Sequence, residues 1–520
     1  MRSDLTALDG SELDVDVCVV GAGVAGLTLA RELIGTPLRV ALVDSGGLRV
    51  DPAVEALNVG DSTGVATVDL EASRARGFGG TTRLWAGQCV RFEREDFEER
   101  PWVSHSGWPF SRTELEPFYA RAERLLGIQG IDSSESMWSR FGLSIPPLDP
   151  TRLRHRFTVL PKRVDLGRLL LREFDRAHNV HVILGATAVE VRLRDDGRVG
   201  GIELRSPGGK AGRVRAARVV LCAGGIENPR LLLASRRQRP AGLGNEHDLV
   251  GRFFQEHPNQ FAAHVLGADV DYLQDRYGLL YRGGLRWLPR FWLSPEAQEK
   301  HATVQAAAVL VFEHREGSGV SAARELVRDA RRRESPRRLA HSVAGIVRDA
   351  PALPDVLWRR YVRGLSPGGR PERVRLQVFT EQAPDPTSRV MLTDQPDAVG
   401  MPRVRTCWQL GRAEADAARA IVDEVRCEFA RLGLGRVIAD DWVTEGRVSA
   451  LRDAYHHAGT TRMARDPRKG VIDPQGQAHG VPGLFVASSS AFPTSSWANP
   501  VLTSMAMSIR LADHLRRGAR

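Results

Sequence analysis

Residues 15–20 (VDVCVV) form a short apolar run that stops at Gly21, the pattern of a strand buried on both faces of a parallel sheet. Small residues then continue from about Val24 to Ile34 and predict a helix. A second apolar run, 38–43 (LRVALV), ends at Asp44-Ser45-Gly46-Gly47. Strand, glycine turn, helix and strand make a βαβ unit. Further on, 108–126 (WPFSRTELEPFYARAERLL) reads as helical, and 180–222 alternates like several strands with a turn near Asp195-Asp196-Gly197. The run 217–222 (ARVVLC) enters Ala223-Gly224-Gly225, and a helix is expected to start near Asn228-Pro229, because proline suits a first helical position. From 255 to 450 the texture changes, with aromatic clusters such as RWLPRFWL (286–293) and an arginine-rich segment from Arg324 to Arg375. The opening style returns in a strand at 483–487 (GLFVA) and a helix over 500–516. This pattern predicts an α/β protein whose first domain is assembled from discontinuous pieces.

Gly21-x-Gly23-x-x-Gly26 lies between the first strand and the first helix. The first glycine permits the tight turn, the second lets a pyrophosphate approach the backbone, and the third lets helix and sheet pack closely. The helix start offers free amides and a positive dipole to phosphate. Asp44, at the end of the second strand, is placed to hold the hydroxyls of an adenosine ribose. Together these features predict a Rossmann-like dinucleotide site, and by themselves they fit FAD and NAD equally.

Composition narrows the classes. At 520 residues the chain is long enough for two large domains. The net charge is +10, but all but four of the 73 basic residues are arginine (the lysines are Lys162, Lys210, Lys300 and Lys469), which reads as GC-rich coding. No nucleic-acid recognition motif accompanies the charge. The five cysteines are scattered, odd in number and never spaced CxxC, which argues against a disulfide framework or zinc site and for a reducing compartment. No signal-peptide pattern and no apolar stretch of about 20 residues occurs, so a cytoplasmic protein without a transmembrane segment is expected.

Two features mark the tail: Tyr455-His456-His457-Ala458-Gly459-Thr460-Thr461-Arg462-Met463, and Ala498-Asn499-Pro500-Val501-Leu502-Thr503 opening the last helix. Asn499 followed by proline is what an ordinary helix start looks like. A second role is open to it, since a helix start aimed at a flavin stabilises negative charge on the reduced ring and brings the cap side chain beside the reacting centre. His456 and His457 read as a surface or core pair. No carboxylate or cysteine stands at ligand spacing from them, so no metal is expected.

Five motifs occur in one order: VVGAGVAGLTLARELI leading to LVDSGG, then GFGGTTRLWAGQC, LCAGGIENPRLLLAS, HHAGTTRM and GLFVASSSAFPTSSWANPVLTSMAMSIRLADHL. In these the chain resembles the glucose–methanol–choline flavoproteins, most closely the His–Asn branch that includes pyranose oxidase. The resemblance implies a discontinuous Rossmann-like FAD-binding domain and a substrate domain with a large antiparallel sheet and helices. It implies boundaries at 1–100, 181–255 and 450–520 for the FAD-binding pieces, with a cap segment at 101–180 and the substrate domain at 256–449. It implies that His456 is the base facing the flavin and Asn499 its partner, with a hydride passing from the alcohol carbon to flavin N5. It also implies cofactor contacts from Gly79, Gly80 and Thr81 along the pyrophosphate and ribityl chain, from Trp85 and Ala86 near the flavin edge, and from Val189 at the adenine. Ala223, Gly224, Pro500 and Thr503 complete that set. Where pyranose oxidase has a flavin-bonding histidine, this chain has Leu84 in Arg83-Leu84-Trp85, so FAD is expected to be non-covalent. Ser488 stands where many relatives carry an aspartate.

The resemblance points to a small-molecule alcohol substrate, first of all a sugar, glycoside or aminoglycoside hydroxyl such as a primary 6'-type hydroxyl in antibiotic biosynthesis, with oxygen or another acceptor taking the electrons. A non-sugar or sterol alcohol is the alternative, as is a non-redox lyase on the same fold. A cationic aminosugar calls for carboxylates, and Glu256, Asp269, Asp271, Glu313 and Glu381 are the candidates, although solvation and ion pairs to the many arginines account better for each. Trp287, Phe291 and Trp292 fit packing better than a sugar site. The arginine-rich segment, with Arg331-Arg332-Arg333 and Leu339, Val343, Ile346 and Val347, fits a solvated helical insertion better than a membrane- or acceptor-docking face.

Overall fold

The computed structural model describes residues 1–8, 10–130, 136–314, 353–366 and 371–518. Arg331-Arg332-Arg333 and the four apolar positions Leu339, Val343, Ile346 and Val347 lie outside the described residues.

The run that ends at Gly21 becomes the strand Glu12–Val20, whose Val17, Cys18 and Val19 are fully buried. It sits inside an eight-stranded sheet. Arg2–Asp4, Val180–Leu184, Val40–Val43, Glu12–Val20 and Ala211–Leu221 lie side by side in parallel, in that order. One half of Ala211–Leu221 pairs antiparallel with Val199–Arg205, which pairs with Thr187–Leu193, while its other half pairs parallel with Leu484–Val486. Three separate stretches of the chain thus build one sheet. The helix Val24–Glu32 packs against the last helix, Val501–Arg517, which in turn packs against Glu116–Leu126.

A second sheet has seven antiparallel strands: Leu153–Leu160, Asn259–Leu266, Leu280–Arg282, Leu285–Leu293, Ala306–Glu313, Arg373–Thr380 and Arg436–Ala439. The helix Arg412–Leu432 lies against it with Ala417, Ile421, Val425 and Phe429 buried at four-residue intervals, the helical repeat of a single apolar face. Trp287, Phe291 and Trp292 belong to this core: all are buried, and the Phe291 ring stands 4.6 Å from Tyr277 and 5.7 Å from Phe429. A small third sheet joins Asp61–Gly64, Pro402–Trp408 and Arg389–Pro396. The fold is the α/β arrangement that the sequence predicts.

Two boundaries differ. The stretch 108–126, read as helical, is α-helix only over Glu116–Leu126, after a single tighter turn at Arg112–Leu115. The helix expected near Asn228-Pro229 runs from Gly224 to Ala234, so Pro229 lies inside it. A proline there has no N–H for the carbonyl four residues back, which is that of Gly225. The Thr460 hydroxyl donates to this carbonyl at 2.6 Å and fills the vacancy from a segment 235 residues away. Gly225 must itself be glycine, since a Cβ would stand 2.5 Å from the His457 carbonyl oxygen. The irregular helix and the tail motif are therefore one packing unit.

Thr460→Val leaves the buried Gly225 carbonyl without its donor and is expected to destabilise the protein by about 1–3 kcal/mol. In a Pro229→Ala background, where residue 229 regains its N–H, the same substitution is expected to cost less than half as much. A double-mutant cycle by urea unfolding reads the difference, and equal costs in both backgrounds would refute the account.

Candidate active site

A single cavity of about 600 Å³ is lined by the glycine turn, by Asp44 and by His456 and Asn499. Gly21 adopts φ +103, and a Cβ on it would stand 2.9 Å from the Cys222 carbonyl oxygen. Gly26 does not line the cavity. Its hydrogen faces the Gly21 carbonyl oxygen, where a Cβ would come within 1.8 Å, so it sets how closely the helix meets the turn. Asp44 ties the neighbouring loops together: Oδ2 accepts from Ala22 N at 2.7 Å, and Oδ1 accepts from Gly46 N at 2.9 Å and Gly77 N at 2.7 Å. Burial raises its carboxyl, against these three amides and Arg76. Three amides leave one of its roughly four acceptor positions open for a ligand hydroxyl.

Several observations fit this cavity to FAD. Gly23 and Gly224 both line it, and a Cβ built on either would have nothing within 4 Å, so a ligand can approach the backbone at both places. Thr187 Oγ1 also belongs to a lining residue and is buried without a hydrogen-bond partner. Three helices begin on the cavity, at Gly23, Ala223 and Pro500, and none has a side-chain cap bond, so their first amides remain available to negative charge. Gly80, Thr81, Trp85, Ala86 and Ala223 line it as well. Gly79, Val189 and Thr503, also expected at the cofactor, do not. Gly79 faces Asp165 and Gly167, the cavity touches only Ala186, Thr187 and Ala188 of the adjacent strand, and the Thr503 hydroxyl is taken by Tyr119 at 2.8 Å.

His456 is displayed by a bowed segment. Backbone bridges pair Asn259 with Arg452 and Gln255 with Ala458, so five residues, 453–457, span the same distance as three, 256–258. The surplus bows outward, and Tyr455 takes φ +62, a left-handed value uncommon for a tyrosine. The Glu256 carboxylate fills the bow: its Oε2 accepts from His456 N at 2.9 Å, and from Ala454 N and His257 N at 3.3 Å each. Glu256 is fully buried, and burial pushes its carboxyl up to about 8 against these amides. Its Oε1 lies 3.3 Å from His457 Nε2.

The two expected residues meet here. Asn499 Nδ2 lies 3.2 Å from His456 Nε2. The asparagine is not the cap of the last helix: Pro500 occupies that position, and no side chain caps it. Burial drives the His456 ring well below its ordinary value, with His257, His457 and Arg290 adding to the effect. His457, the last residue of the bow, also lines the cavity, and burial, with Arg74, pushes it down to about 3.

The acids suggested by the sequence do not converge. None of Glu256, Asp269, Asp271, Glu313 and Glu381 lines the cavity. Glu256 holds the bow, Asp269 caps the helix Val270–Tyr277, Asp271 sits in the first turn of that helix, and Glu313 faces Arg375 at 4.0 Å. Glu381 forms a two-pronged bond to buried Arg100 at 2.7 Å on each arm. The carboxylate beside His456 in the cavity lining is Asp453, which burial pushes up to about 6.

Sequence reasoning missed two residues. His257 Nδ1 lies 2.9 Å from His456 Nδ1. Arg290 is buried without a carboxylate partner, bonded to Thr158 Oγ1 at 2.8 Å and to Gln88, with Phe379 and Trp497 beneath it at 4.7 and 5.6 Å. The only local signal for His257 is a pair of titratable residues before a proline in a polar turn of chain, and Arg290 has none among so many arginines. Ser488 bonds Asn228 Nδ2 at 3.0 Å and Ser490 at 2.7 Å, so it braces the site. Among the described residues no three His, Cys, Asp or Glu side chains are arranged to hold a metal ion, and no helix is long and apolar enough to cross a membrane.

Residues 16–242 match the family FAD dependent oxidoreductase, and residues 384–508 match GMC oxidoreductase. The chain thus joins an FAD dependent oxidoreductase domain to a C-terminal domain of the GMC oxidoreductases. With these two domains and its oxidase and dehydrogenase relatives, it is an FAD-dependent enzyme acting on CH–OH groups. It is 23% identical to the fructose dehydrogenase large subunit of Gluconobacter japonicus, over 97% of this chain and 98% of that one. It is 24% identical to the 6'''-hydroxyparomomycin C oxidase of Streptomyces lividus, over 96% and 92%. Among solved structures, pyridoxine 4-oxidase from Mesorbium loti superimposes with a TM-score of 0.60 at 18% identity, over 96% of this chain and 98% of that one, a likeness of fold.

Because the native His457 stays neutral down to about 3 while an unfolded histidine takes a proton near 6.5, acid favours the unfolded chain. Between those two values, His457 costs about 1.4 kcal/mol of stability for each unit that the pH falls. Urea unfolding between pH 7 and 5 is therefore expected to show a shallower acid loss in His457→Gln than in the parent, and parallel slopes would contradict the buried neutral ring.

Proposed function

We propose that this FAD-dependent enzyme oxidises a hydroxyl of a sugar, glycoside or aminoglycoside to the carbonyl, with His456 as base, Asn499 as the amide that holds the substrate oxygen, and FAD bound without a covalent link. The observation that carries the reading is the 3.2 Å contact of His456 Nε2 with Asn499 Nδ2 on the cavity that also contains the glycine turn. FAD, when bound, supplies the hydride acceptor.

The protein groups divide the remaining work. A neutral imidazole can take the hydroxyl proton, and burial keeps His456 neutral. Asn499 donates an N–H to the substrate oxygen and has no basicity with which to compete for its proton. The uncapped start of the last helix, at Pro500 and Val501, favours negative charge that develops on that oxygen. Arg290, lowered by burial to about 10, keeps its charge at neutral pH and adds a second positive source.

The activities named for the two relatives favour a sugar or an aminoglycoside over a simple alcohol. Asp453 supports the aminoglycoside form of the reading, since its Oδ2 is buried without a hydrogen-bond partner and suits a substrate ammonium. Leu84 lines the cavity with a side chain that cannot bond to a flavin, which supports non-covalent FAD. Oxygen or another acceptor then takes the electrons.

Anaerobic mixing of the yellow protein with D-fructose, paromomycin-type aminoglycosides, pyridoxine and simple alcohols tests this. The flavin band is expected to bleach with the sugar or aminoglycoside class. His456→Ala is expected to keep its colour and bleach about 10²–10⁴-fold more slowly, and Asn499→Ala about 10²-fold more slowly. A His456→Ala protein that bleaches at the parental rate removes the base assignment, and turnover without bleaching points to lyase chemistry.

Acid precipitation of the yellow protein is expected to leave the flavin in the supernatant. Flavin that pellets with the chain would show a covalent bond.

A further inference from the structure

His456 has a protein partner at each ring nitrogen: Asn499 Nδ2 at Nε2, 3.2 Å away, and His257 Nδ1 at Nδ1, 2.9 Å away. Two imidazole nitrogens at that separation share one hydrogen, and the next bond along decides which ring carries it. His257 Nε2 lies 3.0 Å from the Ser495 carbonyl oxygen. A carbonyl only accepts, so His257 carries its hydrogen on Nε2. The His257 ring is buried, no carboxylate is bonded to it, and burial holds it below its ordinary value, so it is neutral and its Nδ1 is a bare lone pair. The hydrogen between the two rings therefore belongs to His456.

We propose that His257 is a positioning residue that fixes His456 as its Nδ1–H tautomer, through the chain from the Ser495 carbonyl to His257 Nε2–H and from His257 Nδ1 to His456 Nδ1–H, so that the lone pair of His456 stands at Nε2. The consequence for chemistry rests on the reading of His456 as the base. A neutral histidine left to itself divides between two tautomers, and one with its hydrogen on Nε2 offers a substrate hydroxyl a donor where an acceptor is needed.

The other face of the ring agrees independently. The Asn499 amide nitrogen has only hydrogens to offer, so its contact with Nε2 requires the same lone pair. The two ends of the chain also belong to one loop. Ser495, which holds His257 from behind, is four residues before Asn499, which meets His456 in front, and Ser496 between them takes φ +59. His257 follows Glu256, so neighbouring residues fix the ring of His456 and its main chain.

The FAD-loaded protein labelled with ¹⁵N-histidine tests this directly, because long-range ¹H–¹⁵N spectra report which ring nitrogen is protonated. The His456 signals, identified by their loss in His456→Gln, are expected to show a protonated Nδ1 and a bare Nε2. A protonated Nε2, or a mixture, overturns the proposal in the parent protein without any other variant. His257→Phe removes the acceptor and keeps a ring. It is expected to retain FAD, to let His456 populate the Nε2–H form beside the Nδ1–H form, and to bleach with the fastest substrate of the panel above about 100-fold more slowly or worse, with the substrate concentration for half-maximal rate little changed. His257→Asn returns an acceptor near the place of Nδ1 and is expected to recover the rate to within about tenfold of the parent. A Phe variant as fast as the parent, or an Asn variant no faster than Phe, overturns the proposal. If His456→Ala itself bleaches normally, the base reading falls instead, while the tautomer measured in the parent still decides the role of His257.

Discussion

The carboxyl of Glu256 is buried inside a bow of backbone that has two residues too many for the segment opposite. Without an acceptor there, the amides of Ala454 and His456 would face the interior unpaired, and each such loss costs about 1–3 kcal/mol. With the carboxylate in place, the bow has one shape and His456 one position. The same residue leads, three positions on, into the strand Asn259–Leu266 of the seven-stranded sheet. The register of that sheet therefore reaches the imidazole through one side chain. The tail motif is tied to the other sheet in a comparable way, by the Thr460 hydroxyl on the carbonyl that Pro229 leaves free.

Charge around the cavity is arranged by burial. His257, His456 and His457 are all held below their ordinary values by the same dry environment, and no carboxylate is bonded to the His456 ring to raise it. Positive potential comes instead from groups that cannot give up a proton at working pH: the uncapped helix starts and Arg290, which is surrounded by Phe379, Trp497, Thr158 and Gln88. On the far side of the glycine turn the logic reverses. Burial alone would raise the carboxyl of Glu227, but Arg76, Arg230 and Arg74 surround it and keep it well below the usual carboxylate range, which locks the loop before Gly77 to the helix Gly224–Ala234.

Legibility followed the range of the interaction concerned. Gly21, Gly23, Gly26 and Asp44 were readable because a tight turn, a close approach and a strand end are properties of about 25 consecutive residues. His456 and Asn499 were readable only through resemblance, since nothing in their own neighbourhoods tells a paired histidine from a core one or an amide partner from a helix cap. The five acids proposed for a substrate site failed for a physical reason. Each had a cheaper employment as a cap, an ion pair or a clamp, and sequence cannot rank those against a cavity wall. Gly79, Val189 and Thr503 lie outside the cavity lining, because which residue of a turn, strand or helix faces a cavity depends on rotations of a single position.

The sequence by itself determined the α/β class, the glycine turn with its acid, the discontinuous assembly of the first sheet and the resemblance to FAD-dependent oxidoreductases, all of which rest on local periodicity and on motifs that carry their meaning within a few turns of chain. Only the tertiary structure decided that Glu256 is a clamp and that His257 stands behind His456. Those roles arise where residues about 200 positions apart are brought within 3 Å by the pairing of two segments, and a hydrogen bond between partners so distant leaves no periodic trace along the chain.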